Sequence, residues 1–226
     1  MKIGSLPTLL FLMVAGPLSG AEPASVDWSQ LPDPVSQEYE DPYRDLTQAQ
    51  FEALMTLARV QIELNGSSSE SEREQRATEL SQNLRAQGLD PEWILAQRDV
   101  VAERRKNAAL LTNSALEGAP VELTGYLLAA PDVESGEMVA YLVPDRGVCM
   151  HLPPPVPNQL VRLDIDKLPE PLGPCINARV RGRLSASESA ATVPIFDDTV
   201  QLWSSWRLDV SKAITSGSFS SEDNES

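Results

Sequence analysis

The stretch LEGAPVELTGYLL, Leu116 to Leu128, decides the fold. Val121, Leu123, Gly125 and Leu127 alternate there with Glu122, Thr124, Tyr126 and Leu128. A period of two places alternate side chains on opposite faces of a strand. The helical spacing of residues 47–115 gives way here to a period of two. The pattern therefore predicts an α+β chain, with a helical arm at residues 47–115 and a β domain at residues 116–212.

In the β domain, Glu134-Ser135-Gly136-Glu137 reads as a hairpin turn, and Met138 to Val143 as the returning strand. Leu160 to Ile165, Ile176 to Leu184 and Gln201 to Val210 follow as strands, the last carrying Trp203 and Trp206. Five short antiparallel strands after a helical lead suggest a small OB-like β-barrel, with an open sheet or small sandwich as the rival. Arg179, Arg181 and Arg183 share one face of the fourth strand. Pairing with the many acids explains them more simply than a ligand does.

In the arm, Thr47 and Gln50 form a capping box that opens a first helix. Its apolar positions Phe51, Leu54, Met55, Ala58 and Ile62 are expected on the buried side. A second helix runs from about Glu70 to Gln87 and stops at Gly88. Asp90-Pro91-Glu92 opens a third, reaching about Asn113, with Trp93, Ile94, Val100, Val101, Ala108 and Leu111 expected to be buried. Residues 22–46, rich in proline and acids, read as an extended lead-in. Residues 213–226 read as a disordered acidic tail.

The first 21 residues have a short positive start, an apolar run and a small-x-small site at Ser19-Gly20-Ala21. They are expected to be a signal peptide, which leaves a periplasmic or secreted protein with no membrane span after cleavage. The formal charge of −15 disfavours nucleic acid and anionic membrane.

The chemistry-bearing residues gather in YLVPDRGVCMHLPPPVPNQLV, Tyr141 to Val161. It holds the only histidine and one of two cysteines. Strand alternation would put Cys149 and His151 on the same side. Pro153, Pro154, Pro155 and Pro157 then stiffen the exit. Three readings stand open. Cys149 and His151 suit zinc or copper, with Asp145, Cys175, Met138, Met150 or a partner chain completing the set; no cofactor is required by the sequence. Cys149 could act as a nucleophile activated by His151 in a thiol-dependent enzyme. Cys149 and Cys175 could instead form a disulfide, closing a loop of about 27 residues with about 3 kcal/mol of stabilisation. The rigid proline segment also suits docking onto another protein.

The order LEGAPVELTGYLL, YLVP and CMHLPPPVPNQLV resembles the bacterial family called domain of unknown function 3299. Its members show a similar Gly-Tyr strand, then Cys-x-His, several prolines and Asn-Gln. Cys149, His151, Pro153, Pro154, Pro155, Asn158 and Gln159 match that pattern, and Cys175 is not part of it. The resemblance implies a barrel and an exported bacterial protein. The family's members have no settled activity, and some look like companions of ABC-type export or metal-responsive transport systems. Together with the missing orienting acid and the rigid proline segment, this leads to the expectation of a non-enzymatic accessory protein with a protein partner in the cell envelope.

Overall fold

The computed structural model describes residues 22–64, 70–149, 153–166, 175–195 and 198–215. They form a mixed α+β fold of five α-helices and a six-stranded sheet. The expected signal peptide, and the tail beyond Thr215, lie outside the described residues. Among the described residues, no helix is long and apolar enough to cross a membrane.

The strands are β1 (Ala24–Ser25), β2 (Pro120–Pro131), β3 (Met138–Val143), β4 (Val161–Asp164), β5 (Ile176–Ile195) and β6 (Asp198–Thr215). Their order is β1-β2-β3-β4-β6-β5, and β2 also pairs with β5, so the hydrogen-bonded ladder returns to β2. Two features correct the sequence reading. The sheet is not wholly antiparallel, because β4 runs parallel to β6 and the short β1 parallel to β2. Strands β5 and β6 are also far longer than expected, and β6 takes in residues 213–215 of the expected tail. The added part of β5 opens on Ser185 to Ala191, SASESAA, a composition with little β-propensity of its own. Pairing along the β5–β6 hairpin holds it extended.

The sheet buries both of its faces. Leu123, Leu127, Leu142, Val161, Val180, Trp206 and Leu208 form the inner core. Leu128, Tyr141, Val143, Leu160, Val193 and Leu202 form a second core on the outer face of β2 and β3. The distal half of the β5–β6 hairpin supplies the cover, after a register shift between Ala186 and Ser189. Such an irregularity bends a strand and sharpens its twist.

Asp132 pins this cover to the β2–β3 turn. Its carboxylate accepts from Thr192 N–H at 2.9 Å, and from the N–H and hydroxyl of Ser135 at 3.1 and 2.8 Å. These bonds, the Ser135 hydroxyl first, hold its pKa below the ordinary carboxylate value. A lowered folded pKa contributes stability above the unfolded pKa of about 3.9 and loses it as pH falls through the folded value. Asp132→Ala should therefore lower the thermal midpoint at pH 7, with a gap to wild type that narrows progressively below pH 4. A pH-independent gap in melting scans at pH 7, 4 and 2.5 would contradict this assignment.

Residues 22–46 are not simply extended. They contain β1, a 3-10 turn at Trp28–Gln30 and helix α1 (Pro34–Gln37). Trp28 donates from Nε1 to Thr124 O at 2.8 Å, and Leu31 is fully buried in the inner core. Asp27 and Asp33 cap the two short turns with their side chains, which explains acids beside prolines here.

The arm comprises α2 (Gln48–Leu64), α3 (Glu70–Ala86), α4 (Pro91–Ala96) and α5 (Arg98–Leu110). Thr47 N–H donates to Gln50 Oε1 at 2.9 Å, and Gln50 N–H to Thr47 Oγ1 at 3.3 Å, so the capping box forms. The buried face of α2 is only partly the expected one, since Leu54 is buried as expected and Leu57 joins it. Leu54 and Leu57 pack with Leu84 and Ile94, while Phe51, Met55 and Ile62 stay exposed. The expected third helix is two helices meeting at Gln97, of which Ile94 and Val101 are buried. Trp93, Val100 and Leu111 are exposed.

Candidate functional site

After β3 the chain turns through Pro144 and Asp145. The Asp145 carboxylate accepts from Gly147 N–H at 2.6 Å, forming a local turn that leads into a 3-10 turn at Arg146–Cys149. Val148 is buried in the outer core and anchors this turn. Cys149 ends it; His151 and Met150 lie outside the described residues, so the expected shared orientation of Cys149 and His151 does too.

Cys175 stands just before β5, half-buried against the outer core. Its Sγ is 3.9 Å from the carbonyl oxygen of Arg146, three residues before Cys149. Cys175 is not a free thiol. Met138 opens β3 opposite Pro131 and is exposed. Among the described residues, no group of three or more His, Cys, Asp or Glu side chains converges.

Pro153 is exposed, Pro154 and Pro155 are half-buried, and Val156 is 45% exposed. A 3-10 turn at Pro157–Gln159 ends the run, held by Gln159 N–H donating to Val156 O at 2.8 Å.

Asn158 does something the sequence did not indicate. It is 0% exposed, and its Nδ2 donates to Ala108 O at 2.8 Å and to Leu111 O at 2.9 Å. The last carbonyls of a helix lack intrahelical donors, so Asn158 closes the C-terminal end of α5. Gln37 Nε2 shares Ala108 O at 2.8 Å, and Asp33 N–H donates to Leu111 O at 3.0 Å. The proline rim, the helical arm and the N-terminal segment are thus tied at one junction. Asn158→Ala should cost about 1–3 kcal/mol, measured by urea unfolding; Asn158→Asp, which loses the amide donor, should cost at least as much. A loss under half a kcal/mol for both would remove the latch.

The arginine stripe is satisfied internally. Arg181 pairs with Glu122, Arg179 Nε lies 3.7 Å from the same carboxylate, and Arg183 donates to Gly118 O. Sequence reasoning passed over Ser187, Glu188 and Ser205, which line a cleft beside the α5 end. Their one trace in the sequence is the loss of clean alternation through SASES, Ser185 to Ser189.

The model of a family described as "Protein of unknown function (DUF3299)" matches residues 45–196. The chain belongs to the DUF3299 family. The crystal structure of a DUF3299 family protein from Pseudomonas aeruginosa PAO1 is similar at 24% identity, with a TM-score of 0.35. That similarity covers 46% of this chain and 65% of the Pseudomonas chain, just under two thirds of its length. No curated protein matches the chain. In this DUF3299 chain, the matched span holds the arm from just before α2, the proline rim and all of β5.

Proposed function

We propose that this DUF3299 protein is an exported, non-enzymatic accessory protein of the cell envelope, periplasmic or secreted once residues 1–21 are removed. It presents the rim from Cys149 to Gln159 to a protein partner within a transport or metal-homeostasis system. The observation that carries this reading is the partly exposed run Pro153 to Val156, followed directly by buried Asn158. A surface already held in one conformation loses little entropy on docking. The scaffold is read as an OB-like barrel, supported by the ladder returning from β5 to β2 and by the parallel β4–β6 pair.

Cys149 is assigned to a disulfide with Cys175. Support comes from the engaged Cys175 sulfur beside Arg146 and from the absence of any third cysteine in the sequence. Such a bond needs an oxidising compartment, consistent with export. Intact mass before and after reduction should differ by two hydrogens. Two alkylatable thiols together with bound zinc or copper would instead favour Cys149 and His151 as metal ligands.

The partner reading is tested with a photo-crosslinking residue at Pro153 or Val156, in cells, against the same residue at exposed Glu72. The rim positions should trap one envelope protein that Glu72 does not, and the adduct should vanish when Pro153 to Pro155 become Gly-Ser-Gly. Equal trapping at all three positions would refute the rim as a docking surface.

A further inference from the structure

Helix α2 carries two apolar stripes, and the arm uses one of them. Leu54, Leu57 and Val60 are buried, the first two against Leu84 and Ile94. Phe51, Met55, Ala58 and Ile62 follow one another at intervals of four, three and four residues. With 3.6 residues per turn these four fall on one side of the helix, roughly 130° from the centre of the buried side. Phe51, Met55 and Ile62 are 41%, 42% and 65% exposed, and Ala58 is half-buried. Apolar side chains scattered singly over a surface need no explanation, but an aligned row of them marks a contact surface. The spacing is that of the a and d positions in a coiled-coil seam.

The residues bordering the stripe say what covers it. From Gln48 to Ile62 only Glu52 and Arg59 are charged, one of each sign, in a chain of net charge −15. Both are exposed and lie on the same flank of the stripe. Gln48 Nε2 donates to Glu52 Oε1 at 2.7 Å and holds the carboxylate on that flank. The opposite flank holds uncharged Leu54 and Gln61. A second α2 laid antiparallel on the first, about a two-fold axis between Thr56 and Leu57, complements every one of these residues. Phe51 meets Ile62 of the second copy, Met55 meets Ala58, and each meeting occurs twice, as an isologous contact requires. Glu52 comes beside Arg59 of the second copy, Arg59 beside its Glu52, and the two helix dipoles oppose each other. A parallel pair fits worse: it sets Phe51 against Phe51, leaves a gap between two copies of Ala58, and places both charges beside the uncharged flank.

We propose that two copies of this chain associate through an antiparallel α2–α2 pair, with Phe51, Met55, Ala58 and Ile62 as the seam and Glu52–Arg59 pairs along one flank. Apolar contact drives the association, and the charge pairs fix its direction. The seam is short, well below the roughly 1,200 Å² at which stable complexes begin, so the dimer is weak and forms only as concentration rises. Each copy's net negative charge opposes the approach, and the balanced charges on α2 keep that repulsion away from the seam. The pairing is independent of the proline rim and stands if the rim reading fails.

Sedimentation equilibrium tests this on the chain as the cell processes it, across the micromolar to millimolar range that weak association occupies. The mass should rise from one chain toward two. Met55→Glu, at an exposed position, should leave the far-UV spectrum and the thermal midpoint unchanged and hold the protein monomeric. Glu52→Arg and Arg59→Glu should each weaken the dimer about five- to thirtyfold, because two exposed pairs become repulsive at once. The double variant restores both pairs with their signs exchanged and should return to within about twofold of wild type, a coupling that independent sites do not show. A photo-crosslinking residue at Phe51 should give an adduct of twice the chain's mass. A monomer at every concentration, a dimer that Met55→Glu leaves intact, or charge-reversal losses that add instead of cancelling would each overturn the proposal. A Phe51 adduct with a different protein, or with residues 1–21 of the same chain, would assign the stripe to that occupant and overturn self-association as well.

Discussion

Trp206→Ala is expected to lower the unfolding free energy by about 3–5 kcal/mol. Trp206 is fully buried in the inner core, in the strand that pairs with both β4 and β5. Its indole Nε1 donates to Leu31 O at 3.2 Å, but that carbonyl also accepts from Asn113 N–H at 2.9 Å. Loss of the ring therefore leaves Leu31 O with one bond, and most of the penalty is the cavity. Trp206→Phe separates the two contributions. It keeps much of the ring volume and loses the indole bond, so it should recover more than half of the alanine deficit. Urea titrations followed by far-UV circular dichroism measure both. An alanine deficit below 1 kcal/mol would mean that the inner core does not depend on this ring.

Gly182→Ala should cost about 3 kcal/mol, the upper end for overpacking, although alanine is among the smallest changes available. A Cβ on Gly182 would sit 2.2 Å from the carbonyl oxygen of Asp209 and 2.9 Å from its carbon. Both are backbone atoms, so no side-chain rotation relieves the clash. Gly182 is also paired on both sides, with Val121 of β2 and Val210 of β6. The register shift between Arg181 and Gly182 brings the two backbones together, and a shift of β5 would break one ladder or the other. Gly125→Ala makes a useful comparison. Its Cβ would meet Val143 O at 2.5 Å, but its next contact, at 2.9 Å, is the Trp28 ring, which can move. It should cost less than Gly182→Ala and should change Trp28 fluorescence. Equal or reversed costs in the same denaturation assay would contradict this ranking.

What the sequence disclosed follows from where its signals are local. The α2 start was legible because Thr47 and Gln50 are three residues apart and satisfy each other's backbone. Strand β3 was legible to its bounds because Met138 to Val143 is a compact apolar run between a glycine turn and a proline. The buried face of α2 was not, since the helix carries two apolar stripes and only the position of α3 and α4 selects Leu54 and Leu57 over Phe51 and Met55. The break at Gln97 has no proline or glycine to announce it. Leu31 stood as one apolar residue among prolines and acids, with no period to mark it as core. Asn158 illustrates the limit for the site: its residue type invites a binding role, and only its distance to the α5 carbonyls reveals a latch.

The contact between Leu31 and Trp206 joins positions 175 residues apart. During synthesis the leucine emerges well before β6, and its place inside the molecule does not exist until that strand has followed. Contacts this distant along the chain slow folding, and intermediates with unmatched strands aggregate. A nascent chain of this kind stays open until β6 arrives, and a product truncated ahead of that tryptophan would leave the segment around Leu31 with nowhere to go.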